Sequence, residues 1–325
     1  MTVNYRAAVV IPTKNAMPVI QRVIAAVLRQ QTPWPYQVIA IDSGSKDGTR
    51  EYLRGVDGIQ LIEIAPESFG HGRTRNLGAS RADADFVAFL THDAEPVDVH
   101  WLANLVAAAE QDDRIAGVFG RHVAYPSASP FIKNDLDRHF DGFLAHPLVV
   151  SRDLDPARYE ADEGWRQMLH FYSDNNSLLR KSIWESLPYP DVEFAEDQLW
   201  ARSVIEAGYA KAYAPDAIVY HSHDYSASEQ LRRAFDEARN FRKYFGYRLS
   251  PRLLPALGSM SHFAVQAWRQ TLDEDRYGRI GASDRHRRAL QRIALVAGHY
   301  LGANHERLPR SLARRLSLDN RLFEA

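Results

Sequence analysis

The residues best suited to chemistry in this sequence follow a short apolar run, in the segment FLTHDAEP. The apolar residues at 86–90 predict a buried strand that runs directly into His92 and Asp93. A carboxylate at the C-terminal edge of such a strand lies where open α/β sheets hold ligands and metal ions. Asp93 is therefore a candidate ligand. For His92, phosphate contact, metal binding and simple packing stay open.

Two further segments carry groups of the same kind. FAEDQLW places Glu196 and Asp197 at the start of a predicted helix, where a carboxylate pair on its own usually just complements the helix dipole. A carboxylate in such a place can also take the proton of a hydroxyl group. AIVYHSHDYS places His221 and His223 on one face of a predicted strand, because alternate residues share a face. Neutral imidazole suits Mn²⁺ better than Mg²⁺.

Alternating apolar runs and helical patterns must position these groups. The patterns predict strands at 7–11, 37–41, 59–64 and 86–90, and helices at 17–29, from 49 onward and at 74–82. This rhythm predicts an α/β fold with a doubly wound, mostly parallel sheet. A less periodic stretch at 126–172 is expected to shape the substrate site. Helical patterns dominate from 226 onward, so we predict a catalytic domain at 1–225 and a helical C-terminal region at 226–325.

Polar loops follow the first two predicted strands, and parallel strands place such loops side by side. Pro12, Thr13 and Asn15 follow the first predicted strand, and Asp42 and Ser43 begin the loop DSGSKDG after the second. Asp42 is an acceptor suited to a base N–H or a ribose hydroxyl. By itself this loop would be interpreted as a tight turn. Neither GxGxxG nor the P-loop motif occurs, which argues against those phosphate cradles.

The third loop, SFGHGRTRN, carries two glycines and two arginines at the start of a predicted helix. A helix N-terminus and guanidinium groups together can contact a diphosphate or a base. Arg75 is the residue we assign to that contact. The alternative is that these arginines are solvated residues of the first helical turn.

Composition excludes several kinds of site. The 325 residues include no cysteine, which rules out disulfides, thiolate metal sites and cysteine nucleophiles. No GxSxG motif supports a nucleophilic triad, no motif suggests a two-carboxylate glycosidase, and no nucleic-acid-binding module is evident. The N-terminus lacks the pattern of a signal peptide, and no window is apolar enough to span a membrane. We expect a cytoplasmic protein.

Charge is distributed unevenly along the chain. Residues 226–325 contain 19 Lys and Arg against 10 Asp and Glu, a net charge of +9, which leaves −10 for residues 1–225. A basic helical region can dock to anionic lipid headgroups at the inner face of the cell membrane, to an anionic acceptor, or to the acidic part of the chain. A solvated basic surface is the equal alternative. Homodimer formation also stays open.

Six motifs, taken in order, resemble the GT-A fold glycosyltransferases of family 2 and, within them, the bacterial rhamnosyltransferase branch. These motifs are VVIPTKN, IDSGSKDGT, FGHGRTRNLGA, FLTHDAEP, EDQLW and VYHSHDYS. The resemblance covers about residues 6–240 and implies an inverting enzyme that uses a nucleotide-diphosphate sugar and usually Mg²⁺ or Mn²⁺. Its branch implies L-rhamnose from dTDP-β-L-rhamnose and a polysaccharide or lipid-linked glycan as acceptor. A UDP- or GDP-sugar donor, a non-catalytic nucleotide-sugar-binding subunit and a nucleotidyltransferase on a related sheet are the alternatives.

The resemblance also assigns roles to individual residues. The family's Asp-x-Asp metal motif corresponds here to a triplet whose last residue, Asp93, is its one carboxylate. The metal ligands we predict are Asp93, His221, which matches the family's metal-binding histidine, and His223, which shares a face with it. Asp197 matches the family's catalytic base, and Glu196 would orient the acceptor or help to cap its helix. The nucleotide-sugar-binding residues we predict are Pro12, Thr13, Asn15, Asp42, Ser43, Arg75, His92, Asp93, Asp174 and Asn176.

Overall fold

The computed structural model describes residues 4–318. The chain separates into two compact units. The first unit contains the residues up to 125 together with Leu136–His221, and the second contains Pro126–Asp135 together with the residues from Ser222 onward.

The first unit is built on one mixed sheet. Its described strands are β1 (Tyr5–Thr13), β2 (Tyr36–Asp42), β3 (Gln60–Glu63), β4 (Ala84–Leu90), β5 (Glu95–Pro96), β6 (Ile115–Val123), β7 (Val149–Val150), β8 (Asn176–Arg180) and β9 (Ala210–Tyr220). They follow the order β3-β2-β1-β4-β8-β6-β9-β5, and β7 also pairs with β9. The first four strands pair in parallel, as predicted from the sequence.

The rest of the sheet is less parallel than the sequence suggests. Strand β8 lies antiparallel between β4 and β6, and β5 and β7 are antiparallel to β9. Strand β8 has the sequence NSLLR, in which Leu178 and Leu179 are the apolar residues, and so short a pattern carries no information about the direction of the strand.

Helices cover both faces of this sheet. They are α1 (Val19–Leu28), α2 (Thr49–Arg54), α3 (His71–Arg81), α4 (Trp101–Ala109), α5 (Pro130–Phe143), α6 (Pro156–Ala161), α7 (Glu163–His170), α8 (Lys181–Trp184) and α9 (Glu196–Glu206), of which α5 belongs to this unit from Leu136 onward. Alternation along β1 places Val9 and Ile11 in one apolar cluster and Ala8 and Val10 in another. Two covered faces explain why β1 is continuously apolar.

The second unit is helical. It contains α10 (Ala227–Phe245), α11 (Leu253–Arg269), α12 (Glu274–Tyr277), α13 (Ala282–Ala303) and α14 (Arg310–Leu316). Ala234, Phe235 and Ala238 of α10 are buried, and a side chain at Gly298 or Gly302 of α13 would overlap backbone carbonyl oxygens of α10. The two glycines therefore permit the close packing of α13 on α10. Within residues 4–318, no helix is both long enough and apolar enough to cross a membrane.

Candidate active site

The polar segments predicted to act together meet at one edge of the sheet. Thr13 and Asp42 are register partners at the ends of β1 and β2, and β4 runs parallel to β1 and ends at the same edge. Because β8 is antiparallel to β4, it begins there, with Asn176 opposite Leu90. The register therefore brings the segment after β4, which carries Asp93, beside the segment that precedes β8.

The loops after β1 and β2 are tied to each other by hydrogen bonds. The backbone N–H of Asn15 donates to Ser45 Oγ at 2.8 Å, and the backbone N–H of Lys46 donates to Asn15 Oδ1 at 2.9 Å. The backbone N–H of Ala16 donates to Thr49 Oγ1 at the start of α2, and the backbone N–H of Met17 donates to Asp47 Oδ2 in the loop before it. Asn15 has a left-handed backbone with φ of 47°, a conformation that asparagine tolerates better than most residues. The two loops thus form one preformed polar rim.

Three residues predicted to bind the nucleotide lie inside this rim. Thr13, Asp42 and Ser43 are buried. The Asp42 carboxylate accepts hydrogen bonds from the backbone N–H groups of Gly44 and Ser45, both at 3.0 Å, and from the hydroxyl of Ser45. These groups shape the loops from within. Pro12 is half-buried and Asn15 is exposed. Contact of any of these residues with a nucleotide stays a prediction.

Asp93 and His221 form one corner of the site. Strand β5 pairs antiparallel with the end of β9, with Glu95 opposite Tyr220, so the residues on either side of this short ladder come together. Asp93 Oδ1 lies 3.7 Å from His221 Nε2. Their side chains are 27% and 12% exposed, so a ligand can reach both. One carboxylate oxygen and one imidazole nitrogen at this spacing fit a divalent cation, and the nitrogen favours Mn²⁺ over Mg²⁺.

The neighbours of this corner are held in place. The hydroxyl of Tyr125 donates to the backbone carbonyl of Asp93 at 3.1 Å. Glu95, the next carboxylate along the chain, forms an ion pair with Arg22, whose Nε lies 3.3 Å from Glu95 Oε2. His92 is half-buried on the same turn. His223 follows His221 by two residues and belongs to the second unit, so its place in a ligand set stays a prediction.

A buried ionic cluster lies at the start of α3 and α9. Arg75 Nε is 3.1 Å from Asp174 Oδ2, and its Nη1 donates to Glu196 Oε1 at 2.7 Å. All three side chains are at most 8% exposed. Burial lowers the pKa of Arg75, but the two carboxylates outweigh burial and raise it. The guanidinium predicted to contact the donor is therefore engaged with two carboxylates of its own chain.

Asp197 follows this cluster and is the predicted base. Ala195 precedes the helix with a left-handed φ of 58°, which turns the chain into α9. The carboxylate of Asp197 accepts a hydrogen bond from the backbone N–H of Asp174 at 3.4 Å. Burial raises its pKa well above that of an ordinary aspartate, and repulsion from Glu196 and Asp174 adds to the effect. A carboxylate with a raised pKa is well suited to accept a proton.

Asp174 and Asn176 have structural partners. Asp174 accepts hydrogen bonds from the hydroxyls of Ser177 and Tyr189, both at 2.8 Å. Asn176 is fully buried, donates to the backbone carbonyls of Arg121 and Ala217, and accepts from Trp101 Nε1. It joins three strands of the sheet, and its contact with a nucleotide sugar stays a prediction.

Sequence reasoning missed Tyr189 and Tyr125, which orient Asp174 and the Asp93 backbone. Each lies in a loop or at a strand end, far along the chain from the group it touches. Neither tyrosine belongs to a motif, so no local signal could have identified it. A contact of this kind becomes visible only when the fold brings distant segments together.

Comparisons with known proteins agree with this arrangement. The family model for glycosyl transferase family 2 matches residues 8–187. The chain is 34% identical over 235 residues to the O-antigen chain rhamnosyltransferase RfbN of Salmonella typhimurium, which covers 71% of each protein. It is 32% identical over 231 residues to the O-antigen chain rhamnosyltransferase WbaN of Salmonella anatum, which covers 70% of this chain and 69% of the relative.

A solved structure supports the fold. The mannosyltransferase PcManGT from Pyrobaculum calidifontis, in complex with GDP-Man and Mn²⁺, is similar with a TM-score of 0.53 at 17% identity, over 99% of this chain and 84% of that one. Together these matches confirm the resemblance predicted from the six motifs and the GT-A fold that it implied.

Proposed function

The chain belongs to glycosyl transferase family 2, and we propose that it is an inverting, metal-dependent rhamnosyltransferase. Its donor is dTDP-β-L-rhamnose, and its acceptor is a hydroxyl group of a polysaccharide or lipid-linked glycan. The similarity to two O-antigen chain rhamnosyltransferases supports the choice of sugar and of acceptor class. A cytoplasmic location, at the inner face of the cell membrane, follows from a lipid-linked acceptor.

One observation carries the proposal. The Asp197 carboxylate contacts the segment before β8, and the register of β4 and β8 places that segment beside the strand end that carries Asp93. A candidate base and a candidate metal ligand therefore border the same sheet edge. This is the division of roles that displacement of a diphosphate by a hydroxyl requires.

Asp197 acts as the general base. It takes the proton of the acceptor hydroxyl while that oxygen forms a bond to the anomeric carbon and the bond from this carbon to the diphosphate oxygen breaks. Attack from the side opposite the leaving group inverts the anomeric centre. Arg75 pairs with both Asp174 and Glu196 and holds them in place, so the carboxylate of Asp197 keeps its position in the first turn of α9.

Asp93 and His221 would hold the divalent cation. When bound, such an ion neutralises negative charge on the leaving diphosphate. The structural relative solved with GDP-Man and Mn²⁺ supports this use of the fold. The polar rim formed by the loops after β1 and β2 is suited to hold the nucleotide, with Asn15 as its exposed amide.

Donor turnover tests the proposal. The release of nucleoside diphosphate is measured from dTDP-rhamnose and from UDP- and GDP-sugars, with Mn²⁺ or Mg²⁺, and the anomeric configuration of any product is read by NMR. We expect dTDP-rhamnose to be preferred and the configuration to invert.

Two results would overturn the proposal. Preferred turnover of a UDP- or GDP-sugar would assign a different donor to the same fold. Tight, metal-dependent nucleotide binding with no turnover of any donor, even with a glycan acceptor added, would indicate a non-catalytic subunit.

A further inference from the structure

Helix α11 presents an apolar face to solvent. The exposed fractions are 80% for Leu254, 47% for Leu257, 48% for Val265 and 51% for Trp268. Their spacing of three, eight and three residues places them along one side of the helix. Ser261 stands between them on the same side. At a rise of about 1.5 Å per residue the stripe runs most of the length of a helix about 25 Å long.

The opposite face of α11 fixes the helix in the second unit. Ala256 and Ala267 are buried, and the guanidinium of Arg285 on α13 donates to the carbonyls of Ala267, Trp268 and Gln270 at the end of α11. The exposed stripe is therefore part of an ordered helix whose inner side is already packed within the second unit. An ordered apolar face of this kind marks an interaction surface.

The charged residues from 246 to 270 have one sign, and the acidic residues Asp273, Glu274 and Asp275 follow beyond the end of α11. Residues 246–270 contain Arg248, Arg252 and Arg269 and no acidic residue. All three arginines are exposed, and within residues 4–318 none has a carboxylate partner. Of the acids that follow, Asp273 caps α12 and Glu274 lies 3.5 Å from Arg279. The partner of this face should therefore be apolar and negatively charged.

We propose that the apolar face of α11 lies in the interfacial region of an anionic lipid bilayer. A helix with leucine and tryptophan on one side and arginines at its ends has the composition of helices that bind in the plane of a membrane surface. A second copy of the chain fits less well. Because α11 carries no acidic residue, pairing two copies of this face would bring arginines together in either direction. The inference rests on the proposed function, since docking would bring the enzyme to a lipid-linked acceptor.

Vesicle binding by the full-length chain tests this surface without donor or acceptor. Vesicles of phosphatidylcholine alone and vesicles that also contain phosphatidylglycerol are floated with wild type, with Leu254→Glu plus Trp268→Glu, and with Leu144→Glu. Leu144 is a matched control because it is also 51% exposed but lies in the segment after α5. We expect binding only to the anionic vesicles, weakened by salt, and reduced about tenfold or more by the double substitution alone.

A second measurement locates the helix. Brominated lipids in anionic vesicles should quench tryptophan fluorescence of wild type, and Trp268→Phe should remove most of that quenching. Equal binding of the double variant, or no binding of wild type to anionic vesicles at low salt, would overturn the inference. If wild type does not bind vesicles but forms concentration-dependent dimers, and the double variant does not form them, the face binds a second copy of the chain. Because no turnover is measured, these outcomes are independent of the identity of the donor.

Discussion

Asp197 has an environment that ties its chemistry to pH. Burial, and repulsion from Glu196 and Asp174, raise its pKa well above the ordinary value of about 3.9 for aspartate. A base works only when it is deprotonated. The acid limb of the pH profile of kcat should therefore lie well above that ordinary value. Removing one repelling charge in Asp174→Asn should move this limb to lower pH, and an unmoved limb would contradict the assignment.

The same environment should make the ionised form of Asp197 lower the stability of the folded protein. A pKa that is raised in the folded state means that the ionised form disfavours folding, so stability is lost as the pH rises through the folded-state pKa. We expect Asp197→Asn to raise the Tm at neutral pH by about 2–4 °C, corresponding to about 1 kcal/mol. The gain should vanish below about pH 4, where both side chains are neutral. Scanning calorimetry at both pH values checks this, and a lower Tm at neutral pH would refute it.

Arg75 holds two buried carboxylates, and its loss should be severe. Arg75→Met leaves Asp174 and Glu196 buried without a counterion, so we expect the free energy of unfolding to fall by about 3–5 kcal/mol. Arg73→Met is the matched control. Its partner Asp191 is 58% exposed, and exposed pairs contribute only about 0–1 kcal/mol. Urea denaturation measures both losses. An equal loss in free energy of unfolding for Arg75→Met and Arg73→Met would show that the buried ion pairs stabilise the fold no more than the exposed one.

Among elements, the contact between α10 and α13 makes the sharpest prediction. A methyl group at Gly298 would lie 2.7 Å from Ala234 Cβ and would also overlap a backbone carbonyl. Gly298→Ala should therefore reduce the free energy of unfolding by about 1–3 kcal/mol. Gly258→Ala on α11 meets no atom within 4 Å and should be neutral or stabilising by up to about 1 kcal/mol. Thermal unfolding of both variants checks this. A Gly298→Ala variant as stable as wild type would contradict the close packing of α10 and α13.

The sequence predicts the elements better than their arrangement. The parallel first half of the sheet and the positions of Asp93 and Asp197 follow from apolar runs and motifs. The antiparallel β8 does not, because so short a pattern carries no information about the direction of the strand. The two-residue strand β5, whose ladder with β9 brings Asp93 to His221, is too short to leave a pattern. The structural role of Asn176 depends on carbonyls 41 and 55 residues away.

At the scale of the whole molecule, the second unit draws residues from two parts of the chain. Residues 126–135 join the C-terminal helices, where Arg288 Nη2 lies 2.6 Å from Asp135 Oδ2 and its guanidinium lies over Phe131. This contact spans about half of the chain and has no local sequence signature, so the prediction of a helical region confined to 226–325 could not include it. The net charge of +9 in that region agrees with the proposed anionic surface.

In the proposed mechanism, one site separates a metal-binding corner from a catalytic base. The most direct measurement is a Mn²⁺ titration of dTDP-rhamnose turnover, with a glycan acceptor, for wild type, Asp93→Ala, His221→Ala and Asp197→Asn. We expect Asp93→Ala and His221→Ala to require much more Mn²⁺, and Asp197→Asn to lose about 10²–10⁴-fold in kcat at an unchanged Mn²⁺ requirement. An unchanged Mn²⁺ requirement in Asp93→Ala, or full activity of Asp197→Asn, would contradict it.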